Sequence, residues 1–229
     1  MKSFVKKLRW LLFWTVATPA LAQTGPPAAP APATKAALEE ERQKWNEVLT
    51  NRRPGYKINE QPNALLAATV KGRKPGTALD LGMGQGRNTI FLAQQGWQAT
   101  GVDIADEAVA LAQANAKKAG VKITGVVQSV DDFDFGRNRW DLIACIYFGP
   151  RDYAQKIRDS LRPGGLVVVE VASPEAAKLQ KMGAGVVYSI EELKTIFSGY
   201  KILRADVQEG ISDFKLVQLP LVYFVAQKP

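Results

Sequence analysis

A chain of 229 residues that is 46% hydrophobic and 23% charged has material for one α/β domain with a buried core and little more. It holds no histidine and a single cysteine, Cys145, which excludes an intramolecular disulfide, a Ser-His-Asp or Cys-His apparatus and the commonest zinc ligand. The formal charge of +8 suggests an anionic partner, but Lys2, Lys6, Lys7 and Arg9 lie in a segment without acids. Beyond it stand 26 basic and 22 acidic residues in no dense block, a net of about +4 that argues against a nucleic-acid partner.

In chain order, residues 1–22 read as a secretory signal. The basic residues precede the apolar run Trp10–Ala17, and Ala20-Leu21-Ala22 supplies small residues for cleavage before Gln23. The run is short of the roughly 20 apolar residues of a membrane span. Export to the periplasm or medium is expected, with membrane contact only through the leader if it stays uncleaved. The Pro/Ala-rich stretch 23–35 reads as a linker. A globular domain is expected over 36–229, opening with a helical cap over 36–74. In that cap Leu38, Trp45, Val48 and Leu49 share a helical face and a second short helix covers about 63–70.

From residue 77 the pattern alternates strands and helices. Strands are predicted at 77–82, 98–103, about 122–129, 141–147 and 166–172. Helices are predicted at about 86–95, from an Asp106 N-cap to Gly120, and at 151–161, with Arg162-Pro163-Gly164-Gly165 as a tight turn. Ser189 and Glu192 make a capping box for a further helix, and strand-like runs at about 200–208 and 217–227 end the chain. This order predicts an α/β fold, a mainly parallel sheet covered on both faces, with an antiparallel pair at one edge.

The stretch Asp80-Leu81-Gly82-Met83-Gly84-Gln85-Gly86 carries the functional signal. An apolar strand runs into a glycine turn, a helix follows, and the next strand closes on Asp103, where a carboxylate can meet a ribose. Dinucleotide folds space their glycines G-x-G-x-x-G and face a pyrophosphate with a helix N-terminus. Here the spacing is G-x-G-x-G with an acid ahead of it, which suits a cationic adenosine cofactor better than a nicotinamide dinucleotide.

Over roughly residues 75–225 the chain resembles the class I S-adenosylmethionine-dependent methyltransferases. The resemblance rests on Asp80 to Gly86, Asp103, the strand from Trp140-Asp141, and the turn Leu161-Arg162-Pro163-Gly164-Gly165. It implies a Rossmann-like seven-stranded sheet of order 3-2-1-4-5-7-6, with strand 7 antiparallel. It also implies residue roles. Gly82, Gly84 and Gly86 let the backbone approach S-adenosyl-L-methionine, with Gln85 in the same loop. Asp80 sits near the methionyl ammonium, and Arg87 and Asn88 near its carboxylate. Asp103 accepts from the ribose hydroxyls with Ile104 against the adenine. Asp131 or Asp132, followed by Phe133, flanks the adenine. Tyr147 faces the transferable methyl, and Cys145 is a buried core residue.

The expected reaction is methyl transfer to a small-molecule nucleophile by in-line displacement. The elements available to cover an acceptor are short, at 36–74, about 173–188 and 209–216. The sequence Ile146-Tyr147-Phe148-Gly149-Pro150 lacks the motif of amino-methylating nucleic-acid enzymes. The overall look is similar to the branch containing tellurite-resistance and thiopurine-type enzymes. An exported S-adenosylmethionine- or nucleoside-binding module without turnover, or a nicotinamide-dependent oxidoreductase, is the alternative.

Overall fold

A computed structural model describes residues 34–229; the expected leader and most of the linker lie outside the described residues. Helix α1 (Lys35–Leu49) starts where the Thr34 hydroxyl accepts from the Ala37 amide, inside the stretch expected as linker. Helix α2 (Ala64–Val70) starts at Asn63, whose side chain accepts from the Leu66 amide. The sheet follows as β1 (Thr77–Leu81), β2 (Gln98–Asp103), β3 (Thr124–Val127), β4 (Trp140–Ile146), β5 (Leu161–Ala172), β6 (Lys201–Ile211) and β7 (Gln218–Gln227). Its order is β3-β2-β1-β4-β5-β7-β6, as the resemblance implies. β1 to β5 pair in parallel, and β7 runs antiparallel to both β5 and β6.

Both faces of β1, β4 and β5 are covered, which explains their nearly unbroken apolar runs. One face carries Leu79, Leu81, Ile143, Cys145, Val167 and Val169 with Trp140 and Phe197. The other carries Ala78, Leu142, Ala144, Val168 and Val225 with Leu65, Leu66 and Leu92. Each such aliphatic side chain contributes roughly 1.5–3 kcal/mol on burial. Helices α3 (Arg87–Gln94), α4 (Asp106–Lys118), α5 (Ala154–Ser160), α6 (Pro174–Leu179) and α7 (Ile190–Ile196) join the strands.

Several boundaries differ from expectation for physical reasons. α4 is capped by Ala105 rather than Asp106; Asp106 lies in the first turn, where it accepts from the Asn46 side chain of α1. The Arg162–Gly165 turn is a bulge inside β5. Trp140 pairs with Leu161 and Leu142 with Leu166, so the three additional residues arch out, with Gly164 at φ +78°. Helix α6 was not expected, although Ser173 caps it and Pro174 opens it.

The strand carboxyl ends, where ligands bind in open α/β sheets, gather the glycine loop and the ends of β2 and β4 along one edge. Gly86 precedes α3 at φ +80°, and an added Cβ would lie 2.7 Å from that of Ala112 on α4. Gly183 has a negative φ and open space around it. Gly86→Ala should therefore lower unfolding stability by about 1–3 kcal/mol. Gly183→Ala should leave it unchanged or slightly higher. Urea unfolding of the two variants checks the contrast, and equal effects would show that the loop tolerates a side chain.

Candidate functional site

The glycine loop is shaped by its own backbone. Gly82, Gly84 and Gly86 all have positive φ, which side-chain-bearing residues rarely adopt. Asp103, at the end of β2, fixes the loop from the neighbouring strand. One carboxylate oxygen accepts from the Gly84 amide at 2.9 Å and the other from the Ala105 amide at 2.9 Å. Burial pushes the Asp103 carboxyl up, and these amide bonds oppose the shift.

Two cavities open along this edge. The smaller, about 250 Å³, is lined by Glu41 and Trp45 of α1, by Asp103 and Ile104, by Ser129 to Asp131, and by Ile146 to Gly149, with Tyr153, Val186 and Phe214. The larger, about 580 Å³, takes in Gly82 to Gln85, Arg87 and Asn88 and the segment Leu49 to Pro62. They share Leu49, Gly82, Ile146 and Phe214, so Leu49 and Phe214 stand between them above Gly82. The Gln85 side-chain amide donates to the Leu49 carbonyl, tying α1 to the loop.

The sequence-predicted residues distribute unevenly around these cavities. Asp103, Ile104, Asp131 and Tyr147 line the smaller, Gln85 and Asn88 the larger, and Gly82 both. Gly84 lines the larger, while Gly86 is buried behind it at the start of α3. Asp80 lines neither: it is buried below the loop and accepts from the Thr89 hydroxyl at 2.7 Å. Asn88 accepts from the Asn63 amide, which holds the cap segment against α3. Asp131 accepts from the Tyr153 hydroxyl at 3.0 Å. Asp132 is exposed away from both cavities, and Phe133 is buried in the core, edge-on to Phe135.

At the end of β4 the alternation breaks. Tyr147 has φ +53°, a conformation that costs a side-chain-bearing residue of order 1–3 kcal/mol. The two-residue period of a regular strand would put Cys145 and Tyr147 on one face. Instead Cys145 packs with Val167 and Val169 on one side of the sheet, and Tyr147 joins Ala144 and Ile146 on the other. The Tyr147 ring stands edge-on to Phe214 at 5.6 Å, while its hydroxyl is buried without a hydrogen-bond partner. Burial, with Asp213 and Glu170 nearby, pushes that hydroxyl well above its usual range, so it is no base near neutrality. Burial likewise pushes the Cys145 thiol far up.

Sequence reasoning missed a buried ionic cluster beneath this wall. Arg87 pairs with Asp213 from the β6–β7 turn and donates to the Gln61 carbonyl at 2.5 Å. Asp213 also accepts from the Asn59 side chain, and the Asn59 and Lys57 amides donate to the Asp213 and Phe214 carbonyls. Glu170, an acid inside the apolar run of β5, is buried near this group, and desolvation pushes its carboxyl up to about 7. Its position in Val167-Val168-Val169-Glu170-Val171 was the available signal.

Buried acids whose folded-state pKa is raised stabilise the fold when protonated. Asp80 is pushed up to about 6 and Glu170 to about 7, chiefly by burial, against unfolded values near 4. Their contribution is fully present below about pH 4 and is lost as pH rises through 6 and 7. Stability should therefore fall between pH 5 and 8. Glu170→Gln should flatten that slope and gain on the unaltered chain at pH 8 by on the order of 1–3 kcal/mol. Denaturant midpoints across this range decide it, and an unchanged slope would remove Glu170 from the account.

Residues 78–165 match a family described as a methyltransferase domain. The ubiquinone biosynthesis O-methyltransferase of Cronobacter sakazakii is 26% identical over 130 residues, 54% of either chain. The ribosomal RNA small subunit methyltransferase C of Alcanivorax borkumensis is 31% identical over 87 residues, 37% of this chain and 26% of that one. The chain thus spans about half or less of these curated relatives. Among solved structures, the magnesium protoporphyrin IX methyltransferase of Synechocystis PCC 6803, with bound SAH, aligns with a TM-score of 0.61 at 19% identity. That alignment covers 84% of this chain and 99% of the other, a likeness of fold. The residues that match the methyltransferase-domain model, 78–165, run from β1 into β5 of the Rossmann-like sheet.

Proposed function

We propose that the chain is an S-adenosylmethionine-dependent methyltransferase that acts on a small-molecule acceptor. The observation that carries this reading is the placement of Asp103 at the end of β2, in the wall of a cavity floored by Gly82. Each carboxylate oxygen already accepts one backbone amide and keeps a further lone pair for a ribose hydroxyl. The acids of this wall, Glu41, Asp103 and Asp131, suit a cationic cofactor and would repel a pyrophosphate. A Cβ at Gly82 would lie 2.7 Å from the Phe148 ring, and one at Gly84 3.1 Å from Leu49, so side chains there would fill the cradle.

The cofactor is S-adenosylmethionine. When bound it would supply an electrophilic sulfonium methyl, the acceptor lone pair bonding the carbon as the carbon–sulfur pair passes to sulfur, with any acceptor proton lost to water before the acceptor enters. The side chains named here bind, align and exclude water: Asp103 and Ile104 hold the nucleoside end, and Tyr147 and Phe214 wall the reacting end. Alignment of this kind is worth several kcal/mol, roughly 7–11 in well-oriented systems. Small acceptors are favoured because α1, the β6–β7 turn and the segment around Val186 close over the site.

The unaltered chain should bind S-adenosylmethionine and not NAD(H) in calorimetry. Asp103→Ala should weaken that binding by about 1.5–3 kcal/mol for each ribose hydrogen bond lost. NAD(H) binding without an S-adenosylmethionine signal would overturn the function; unchanged affinity in a folded Asp103→Ala chain would leave Asp103 a loop anchor alone.

We also propose that the protein is exported, from the basic, apolar and small-residue order of residues 1–22. Protein made in a secreting bacterial host should begin at Gln23 on amino-terminal sequencing. A Met1 start in the membrane fraction would instead mean an uncleaved anchor.

A further inference from the structure

The smaller cavity is supplied from two sides. The ends of β2 and β3 bring Asp103, Ile104 and Asp131, and Gly82 of the loop after β1 lies between them and the opposite side. Across it, α1, the end of β4 and the β6–β7 turn bring Trp45, Ile146, Tyr147 and Phe214. Phe214 lies 5.8 Å from the Trp45 ring, tilted 46°, and 5.6 Å from Tyr147, edge-on. The three come from separate parts of the chain, and Phe214 is fixed from behind. Its carbonyl accepts from the Lys57 amide at 2.9 Å, and its neighbour Asp213 pairs with Arg87.

We infer that Trp45, Tyr147 and Phe214 form an acceptor subsite for an uncharged, planar aromatic molecule; this rests on the methyl-transfer reading. The nucleoside end, with its ribose-binding acid, occupies the β2–β3 side, which leaves the aromatic side for the second substrate. That side offers mainly ring faces and edges: its polar side-chain groups are the Trp45 indole N–H and the Glu41 carboxylate of α1, the Tyr147 hydroxyl being buried beside Asp213 and Glu170. Flat rings gain both apolar burial and edge-to-face contact there.

The electrostatics exclude a charged occupant on both signs. Among the described residues no lysine or arginine lines this cavity, and its ionisable lining groups are Glu41, Asp103, Asp131, Tyr147 and Tyr153, all acids. An anionic acceptor would find no partner and three carboxylates. A cationic acceptor would be placed beside the sulfonium charge. Arg87 borders only the larger cavity and is already paired with Asp213. Lys44 lies 5.3 Å over the Trp45 ring but is exposed and does not line the cavity. Phe214 is the specificity-determining residue, since it alone touches both other rings and borders both cavities.

The test uses the full chain saturated with S-adenosylhomocysteine and three probes of one ring size: 2-naphthol, 2-naphthalenesulfonate and 2-naphthylmethylammonium, at pH 7 in calorimetry. The neutral naphthol should bind about 10-fold or more tighter than either ion, and Phe214→Ala should weaken naphthol about 10-fold. Phe214→Leu, which keeps apolar bulk, should lose less, and covers the case in which the alanine variant fails to fold. Equal or tighter binding of a charged probe, or no binding of any probe by a chain that binds S-adenosylhomocysteine, overturns the subsite. Unchanged naphthol affinity in folded Phe214→Ala overturns it as well. Failure of the unaltered chain to bind S-adenosylhomocysteine would instead overturn the methyl-transfer reading.

Discussion

The site depends on a carboxylate that must satisfy the backbone before it can serve a ligand. Asp103 holds the glycine loop through the Gly84 amide and the start of α4 through Ala105. Without it, two buried amides at the strand edge would lack partners, each at a cost of about 1–3 kcal/mol. Burial raises the cost of ionising this group, and the amides that oppose the shift are those it organises. On the proposed reading, loop shape and ligand recognition share one side chain.

A second tie acts at longer range. Arg87 opens α3 just after the glycine loop, and Asp213 sits 126 positions later in the β6–β7 turn. Side chains this buried carry a large desolvation cost, and breaking one partner of such a pair is expensive. The pair, with the Asn59 and Lys57 backbone bonds, fixes the cap segment and the β6–β7 turn as one wall. Phe214 holds its position between the cavities because of that wall.

What could be read from the sequence was local. Strand β1, its glycine loop and β2 follow from apolar runs, turn residues and a terminal acid within 27 positions, and the sheet order follows from the family resemblance. The helix over Lys35–Leu49 was legible in its Trp45, Val48 and Leu49 face, but not in its first turn, where one hydroxyl decides the boundary. The two-residue period failed at Tyr147 because a left-handed residue ends the strand and turns its side chain to the other face. The Arg87–Asp213 pair had no sequence signal, since no periodicity joins residues so far apart. Glu170 had one, an acid amid valines, whose meaning depends on its neighbours in space.

The chemistry follows from what the wall holds. The tyrosines of the smaller cavity are no bases near neutrality, and the carboxylates that line it are Glu41, Asp103 and Asp131. Tyr147 is pushed up by burial and its neighbouring acids, Tyr153 by burial and Asp131, and Asp80 and Glu170 lie behind the wall rather than in it. Under the methyl-transfer proposal the reaction asks little of a general base, because the leaving group is already activated. The site contributes position, dryness and a field favourable to a cation, and those suffice where the leaving group is already a sulfonium. Under that proposal an acceptor that brings its own nucleophilicity, as a lone pair needing no deprotonation or as a group that loses its proton to water before entering, needs only to be aligned.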